Sequence, residues 1–263
     1  MIRRKNDHDW LLIAQADHAR IAADIARAWR FLSDCVTHRR EELLAAVKGH
    51  DDGWPAWETA PTIDPRTGRP RDFREMPMEG ATRIWSESIN LCAGFSPWSG
   101  LWVSRHFCWL AQRALESRDS ASDAEALDEF LGAQARLRES LRQKVGDDET
   151  RANVDSIEQA GYRWVQFFDL LSLWICCAER TQPRRFSIAG GDSVTATPGE
   201  SGVVRFNRNV LCHSPLELQT DALRVPVRRF QDDAELQRSL QAAPRVSLTW
   251  RLVCDSPGGG ESG

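Results

Sequence analysis

The hydrophobic pattern divides the chain into a long helical part and a shorter part that alternates like strands. Through most of the first part, apolar positions recur at helical spacing, as in Ile21, Ile25 and Trp29. Asp17 is the predicted N-cap of the first helix, and a short strand over 10–14 precedes it. The other predicted helices cover about 39–50, 81–92, 97–116, 122–145 and 150–180.

The later part of the chain has short apolar runs separated by glycine, proline and asparagine turns. One helix is predicted over 232–242, and the predicted strands are 187–188, 194–197, 203–206, 223–227 and 246–253. The predicted fold class is therefore mainly α, a helical bundle with a small C-terminal β-rich module, and α+β overall. We expect a helical domain over 1–182, the module over 183–255 and a disordered tail over 256–263.

Residues 53–80 interrupt the helical pattern, because glycines and prolines recur there too often for a long regular element. A structureless stretch of this length inside a compact domain is usually functional. We expect this loop to cover a site formed by the residues that precede it.

Charge and composition exclude several classes of partner. The net charge is −4 and the basic residues are scattered, so we expect no nucleic-acid polymer as a partner. No apolar run is long enough for a membrane span, and no membrane association is expected. Seven cysteines without a CxxC pair are typical of reduced thiols in a cytoplasmic protein. The β-rich module could be a docking surface or the interface of a homodimer.

The chemistry most clearly indicated lies in the run Gly49-His50-Asp51-Asp52-Gly53-Trp54, where a predicted helix ends. A His-Asp pair can place an imidazole nitrogen and a carboxylate oxygen on one metal ion. Asp169 is the strongest candidate for a further ligand, because it interrupts a helix that is apolar nearly all round. A carboxylate buried there needs a metal, an arginine or a tryptophan N–H as its partner.

Two histidines complete the set of candidate ligands. His18 lies on the same helical face as Ile25 and Trp29 and should point inward, either toward a metal or toward a backbone carbonyl. His106 lies in a second apolar helix, where it could bind metal or pack against tryptophan. Its neighbour Arg105 could bind a phosphate or carboxylate, or reach solvent.

The order His18, His50-Asp51, Asp169 resembles the HD-domain superfamily of metal-dependent phosphohydrolases. More narrowly, most of the chain resembles the uncharacterised bacterial family DUF3891. The segments that carry this resemblance are Gln15-Ala16-Asp17-His18-Ala19-Arg20, His50-Asp51-Asp52-Gly53-Trp54, Asp64-Pro65-Arg66-Thr67-Gly68-Arg69-Pro70, Val103-Ser104-Arg105-His106 and Phe168-Asp169-Leu170-Leu171-Ser172-Leu173.

The wider resemblance implies an HD-like helical bundle in which His18, His50, Asp51 and Asp169 bind one divalent metal ion. Mixed nitrogen and oxygen ligands leave Mn, Fe, Zn, Co, Ni and Mg all open. Binuclear members of the superfamily place two more histidines between the doublet and the last aspartate, and this chain has only His106 there. A second ion therefore stays open, with carboxylates such as Asp52, Glu58 and Glu75 able to replace the missing ligand.

The expected mechanism is attack of a metal-activated water on a phosphoester. Asp52 is the candidate general base, although it could instead stabilise the turn at Gly53. Arg105 and Arg69 are candidates to bind the substrate phosphate. Trp54 and its neighbour Trp57 could stack on a base or sugar, or pack under the loop.

Three functions therefore remain open at the level of sequence. The first is a hydrolase of a nucleotide or another small phosphorylated molecule. The second is an HD-type di-iron oxygenase, which requires two metal ions per chain. The third is a non-catalytic regulatory or scaffold protein that keeps the fold.

Overall fold

The structure is a computed structural model that describes residues 1–6, 8–30, 32–117, 121–146, 150–177 and 182–255, without the side chain of Arg151. The described helices are α1 (Gln15–Ala28), α2 (Asp34–Thr37), α3 (Arg40–Gly49), α4 (Pro55–Glu58), α5 (Met78–Phe95), α6 (Pro97–Ser117), α7 (Ala121–Val145), α8 (Arg151–Cys176) and α9 (Asp233–Gln241). Among these residues, no helix is both long enough and apolar enough to cross a membrane.

The described strands form one large sheet and one small hairpin. They are β1 (Ile2–Lys5), β2 (Asp9–Ile13), β3 (Ile63–Asp64), β4 (Arg69–Pro70), β5 (Arg184–Ser187), β6 (Ser193–Pro198), β7 (Val203–Phe206), β8 (Leu216–Pro226) and β9 (Arg245–Cys254). The large sheet is curled, with the strand order β1-β2-β8-β9-β7-β6-β5. Its neighbours pair antiparallel except for β7 and β9, which are parallel, and β3 pairs with β4.

The predicted fold class is wrong, because the sheet is not a small C-terminal module added to a helical bundle. Both N-terminal strands belong to the sheet, and β2 pairs with β8 from Asp9 opposite Pro226 to Leu12 opposite Leu223. A pairing between residues so distant in sequence leaves no local pattern. The boundaries 1–182 and 183–255 stay a prediction, and the tail over 256–263 lies outside the described residues.

The local sequence pattern predicts several strands and helices closely, and the predicted strands 194–197, 203–206 and 246–253 match β6, β7 and β9 within one residue at each end. The predicted helices 39–50, 97–116 and 122–145 match α3, α6 and α7 within one residue at each end. The first helix begins earlier than predicted, with Ala14 rather than Asp17 as its N-cap. The end predicted near residue 180 for α8 falls outside the described residues, whose last helical position there is Cys176.

A shared aromatic core joins the helices to the sheet. The ring of Trp29, at the end of α1, lies 5.0 Å from Phe167 and 5.8 Å from Phe168 on α8, measured between centroids. The same ring lies 5.7 Å from Phe206 on β7. The sheet also contacts α1 through β8 and α8 through β5. Burial of these large rings therefore fixes the position of α1 and α8.

A close approach between α6 and α8 brings the middle of these helices together. Gly161 on α8 lies against Trp102 on α6, and a Cβ atom at this glycine would fall 2.1 Å from Trp102 Cε2. The indole Nε1 of Trp102 donates a hydrogen bond of 3.1 Å to the carbonyl of Ile157. His106 follows one turn after Trp102, and Asp169 follows Gly161 by two turns. Both polar residues are buried, with 1% of the surface of His106 and 6% of that of Asp169 exposed.

Candidate metal centre

Three helices bring the four candidate ligands into one buried cluster. His18 lies in the first turn of α1, His50 and Asp51 follow α3 directly, and Asp169 lies on α8. All four are buried, with between 0% and 6% of their surface exposed. His18, His50 and Asp51 each offer one ligand atom, and these three atoms lie within 4.8 Å of one another. The structure therefore brings together the residues that the sequence indicated.

Asp51 and Asp169 approach the two imidazoles from different sides. The Nε2 atom of His50 lies 3.5 Å from Asp51 Oδ2 and 3.3 Å from Asp169 Oδ1. The Nε2 atom of His18 lies 2.7 Å from Asp51 Oδ2, at hydrogen-bond distance, and 3.8 Å from Asp169 Oδ1. Separations of about 3–4 Å are those expected between ligand atoms that share one ion.

Hydrogen bonds to the far side of each ring determine which nitrogen faces the cluster. The Nδ1 atom of His50 donates to the carbonyl of Val47 at 2.7 Å. The hydroxyl of Ser172 donates to the carbonyl of Asp169 at 2.9 Å, and it can therefore only accept from His18 Nδ1, which lies 2.9 Å away. In their neutral forms, both rings consequently direct the Nε2 lone pair at carboxylate oxygens. This arrangement requires a proton or a cation between them, and it is how metal-binding histidines are usually oriented.

The carboxylates of the cluster and the His50 imidazole shift each other's pKa values toward the charged forms. Burial alone would lower the pKa of His50, but Asp51 and Asp169 outweigh it and raise that pKa to about 9. Burial alone would raise the pKa of Asp169, but the hydrogen bond to His50 and the nearby imidazoles lower it to about 2. The pKa of Asp51 is also lowered, by His50 and His18 acting against burial. Both carboxylates are therefore ionised at neutral pH and attract positive charge.

His106 lies beside this cluster and differs from His50 in its charge. Its Nε2 atom is 3.4 Å from Asp169 Oδ2, the oxygen that does not face His50. Burial lowers the pKa of His106 to about 4, so the ring is neutral at pH 7. Its buried Nδ1 atom has no hydrogen-bond partner within the described part of the chain. His106 thus offers an uncharged imidazole to a ligand, a metal or a water molecule.

Trp54 has a role at the site that the sequence did not suggest. Its indole Nε1 donates a hydrogen bond of 3.1 Å to Asp51 Oδ1 and so holds the second oxygen of this ligand. Trp54 also lines the cavity in front of the cluster. Asp52, the candidate general base, is exposed and is not among the residues that line this cavity. Partial burial raises its pKa.

The cavity in front of the cluster has a volume of about 270 Å³ and a largely apolar wall. Its cationic lining residue is Arg74, whose side chain is 64% exposed and whose Nε donates to Asp72 Oδ1 at 2.6 Å. The candidate ligands and His106 form its polar end, and the apolar wall comprises Phe73, Met78, Ala81, Trp85, Phe107, Leu110, Ala114, Leu170 and Leu173. The site can therefore enclose a small molecule with an apolar body.

Two candidate phosphate-binding arginines lie away from this cavity. Arg105 reaches the side chains of Glu158, at 3.3 Å, and Gln159, at 2.9 Å, and it does not line the cavity. Arg69 is exposed on β4, with its guanidinium 5.9 Å from the centre of the Trp10 ring. The structure does not bring either arginine to the cluster of candidate metal ligands.

Two of the three carboxylates considered as substitute metal ligands are also engaged elsewhere. Glu58 accepts a hydrogen bond of 2.9 Å from the backbone of Gln15 and pairs with the amino group of Met1 at 3.0 Å. Glu75 makes two hydrogen bonds to the guanidinium of Arg3, at 2.9 and 2.8 Å. These bonds hold the loop before α5 against β1, and they position Phe73 and Arg74 at the cavity.

Ser172→Ala tests the proposed orientation of His18. The variant removes the acceptor of the His18 Nδ1 proton but none of the metal ligands, and we expect metal affinity to fall by about 10–100-fold. The measurement is competition with a chelating indicator for Zn²⁺ or Mn²⁺. Ser86→Ala is the matched control, because its hydroxyl donates only to the carbonyl of Thr82 on α5. Equal affinity in the two variants would contradict the assignment.

The comparison with protein families covers most of the chain. Residues 1–229 match the sequence model of a family described as protein of unknown function, DUF3891. The chain belongs to the DUF3891 family. No curated protein and no solved structure matches this DUF3891 protein.

Proposed function

We propose that this DUF3891 protein is a hydrolase in which His18, His50, Asp51 and Asp169 hold one divalent metal ion. The observation that carries the proposal is that two Nε2 atoms and two ionised carboxylates lie close together in one buried cluster. The order of these residues along the chain, which resembles that of the HD-domain superfamily, supports it further. A bound divalent ion would supply a water molecule whose pKa falls from about 16 to about 7.

The side chains around this point support a division of roles. His106 is neutral and lies beside Asp169, so it can accept a proton from the attacking water. Asp52 is less well placed for this role, since it does not line the cavity. Trp54 and Ser172 keep Asp51 and His18 in position through their hydrogen bonds.

The shape and charge of the cavity support a small substrate with an apolar or aromatic body and one phosphate group. Trp85, Phe107 and Leu110 offer the apolar contact, and about 270 Å³ accommodates only a small molecule. The phosphate would lie between the metal ligands and Arg74, the cation of the lining. We therefore favour a small phosphoester over a polyphosphate, which would need more positive charge.

A di-iron oxygenase is the second candidate, and one contact favours it. The two oxygens of Asp169 face different imidazoles, with Oδ1 3.3 Å from His50 Nε2 and Oδ2 3.4 Å from His106 Nε2. A carboxylate placed in this way can bridge two metal ions. Two irons per chain would favour this candidate, and one ion per chain would favour the hydrolase.

The hydrolase proposal is tested by assaying phosphate release from a panel of small phosphoesters with Mn²⁺, Zn²⁺, Co²⁺, Ni²⁺, Fe²⁺ or Mg²⁺. We expect one substrate and metal to give turnover that Asp169→Asn reduces by at least about a hundredfold. Asp155→Asn is the matched control, since Asp155 is an exposed carboxylate on the same helix. Turnover that survives in Asp169→Asn would contradict the proposal, and a protein with neither metal nor turnover would favour a non-catalytic role.

A further inference from the structure

A second cavity, of about 500 Å³, lies between the middle of α8 and the edge strand β5. We call it the arginine cleft and define it by Trp109, Tyr162, Arg163, Arg184, Arg185 and Phe186. It lies next to the metal cavity, because Leu170 lines both and the consecutive residues Trp109 and Leu110 line one each. One layer of side chains thus separates two cavities with different linings.

The arginine cleft concentrates positive charge in a protein whose net charge is −4. Three guanidinium groups line it, and no carboxylate is among its lining residues. Within the described residues, neither Arg163 nor Arg184 makes an ion pair, and Arg185 donates only to the hydroxyl of Ser193, at 2.9 Å. These cations keep most of their hydrogen-bond donors available for an anion.

Aromatic rings form another part of the cleft wall. Tyr162 and Trp109 are partly buried, and each has an arginine over its ring, with Arg105 5.2 Å and Arg113 5.9 Å from the ring centres. Arg184 lies 5.1 Å from the centre of the Phe186 ring. The cleft therefore combines flat apolar surfaces with guanidinium groups, which suits a planar ring linked to a phosphate.

We propose that the arginine cleft binds a nucleoside phosphate, with the phosphate on Arg163 and Arg184 and the base against the aromatic wall. Guanidinium groups match phosphate oxygens in geometry and charge. A volume of about 500 Å³ is of the size that encloses such a ligand. This site is separate from the metal cluster, and the proposal stands whether or not that cluster is catalytic.

Isothermal titration calorimetry of the full chain in EDTA tests the proposal, with adenosine 5′-monophosphate, adenosine and inorganic phosphate as probes. We expect the nucleotide to bind and each of Arg163→Gln and Arg184→Gln to weaken it by at least about tenfold, since a charge-assisted hydrogen bond is lost. Adenosine and inorganic phosphate should each bind at least about tenfold more weakly than the nucleotide. Both arginines are exposed, so the variants should keep the melting temperature of the wild type.

Two control variants locate the binding. Arg136→Gln removes an exposed arginine from α7 and should leave nucleotide binding unchanged. Asp169→Asn alters the metal cluster and should also leave it unchanged. The proposal is overturned if no nucleotide binds, if inorganic phosphate binds as well as the nucleotide, or if Arg136→Gln weakens binding as much as Arg163→Gln. Loss of binding in Asp169→Asn alone would overturn it too, by placing the nucleotide in the metal cavity.

Discussion

Asp51→Asn is expected to weaken the binding of a divalent metal ion by at least about a hundredfold. Asp51 Oδ2 lies 2.7 Å from His18 Nε2 and 3.5 Å from His50 Nε2, so it touches both proposed nitrogen ligands. The amide of asparagine has no charge and is a weaker ligand for such an ion. The affinity is measured by competition with a chelating indicator, for Mn²⁺ and Zn²⁺ in turn.

The control for this variant is the next residue in the sequence. Asp52→Asn makes the same chemical change one position later, at an exposed side chain that does not line the cavity. We expect its metal affinity to stay within about threefold of the wild type, as for other exposed positions outside the ligand set. If the two variants lost affinity equally, or if neither did, the ligand assignment of Asp51 would be wrong.

The second large effect is a dependence of metal-induced stabilisation on pH. In the metal-free protein, the pKa of His50 is about 9, above its ordinary value of 6.5. A raised histidine pKa contributes stability that is present below pH 6.5 and is lost as the pH rises through about 9. The loss amounts to about 3 kcal/mol at most. A bound metal ion would take the place of the proton between His50 and the carboxylates, so we expect the protein in excess metal not to show this loss.

Thermal unfolding in EDTA and in excess metal, at half-unit steps from pH 6 to pH 9.5, measures this effect. The melting temperature in excess metal minus that in EDTA is the gap that we measure. This gap should widen by about 5–10 °C as the pH rises across this range. Below pH 6 the gap should narrow, because protons compete with the ion for the imidazoles. His50→Gln serves as the control and should show a small gap that does not change with pH. A constant gap in the wild type would contradict the proposed exchange of a proton for a metal ion.

Local pattern was sufficient to predict the helices that hold the site. The apolar positions Ile25 and Trp29 place His18 on an inward face, and an apolar helix around Asp169 indicates a buried carboxylate. Such inferences succeed because the helical period determines which side chains face the core. The burial of the ligands and the distances between them depend on how α1, α3 and α8 pack together. The sequence alone does not give this packing.

The pairing of strands in the sheet and the contacts around the ligands were not predictable in the same way. The strand β1 reads Ile-Arg-Arg-Lys, too short and too charged to signal a strand, and its pairing partner is β2. The partner of Arg105 could not be predicted either, because Arg105 lies on α6 and Glu158 lies on another helix, α8. Ser172 could have been suspected, since it follows Asp169 by three residues and so shares its helical face.

The central claim is that His18, His50, Asp51 and Asp169 bind one metal ion. A crystal structure of the metal-loaded protein, with anomalous diffraction recorded on both sides of the metal absorption edge, tests it most directly. We expect one anomalous peak within about 2.0–2.3 Å of the Nε2 atoms of both histidines and of an oxygen from each aspartate. A peak bound by other residues, or a loaded crystal without a peak at these four side chains, would contradict it.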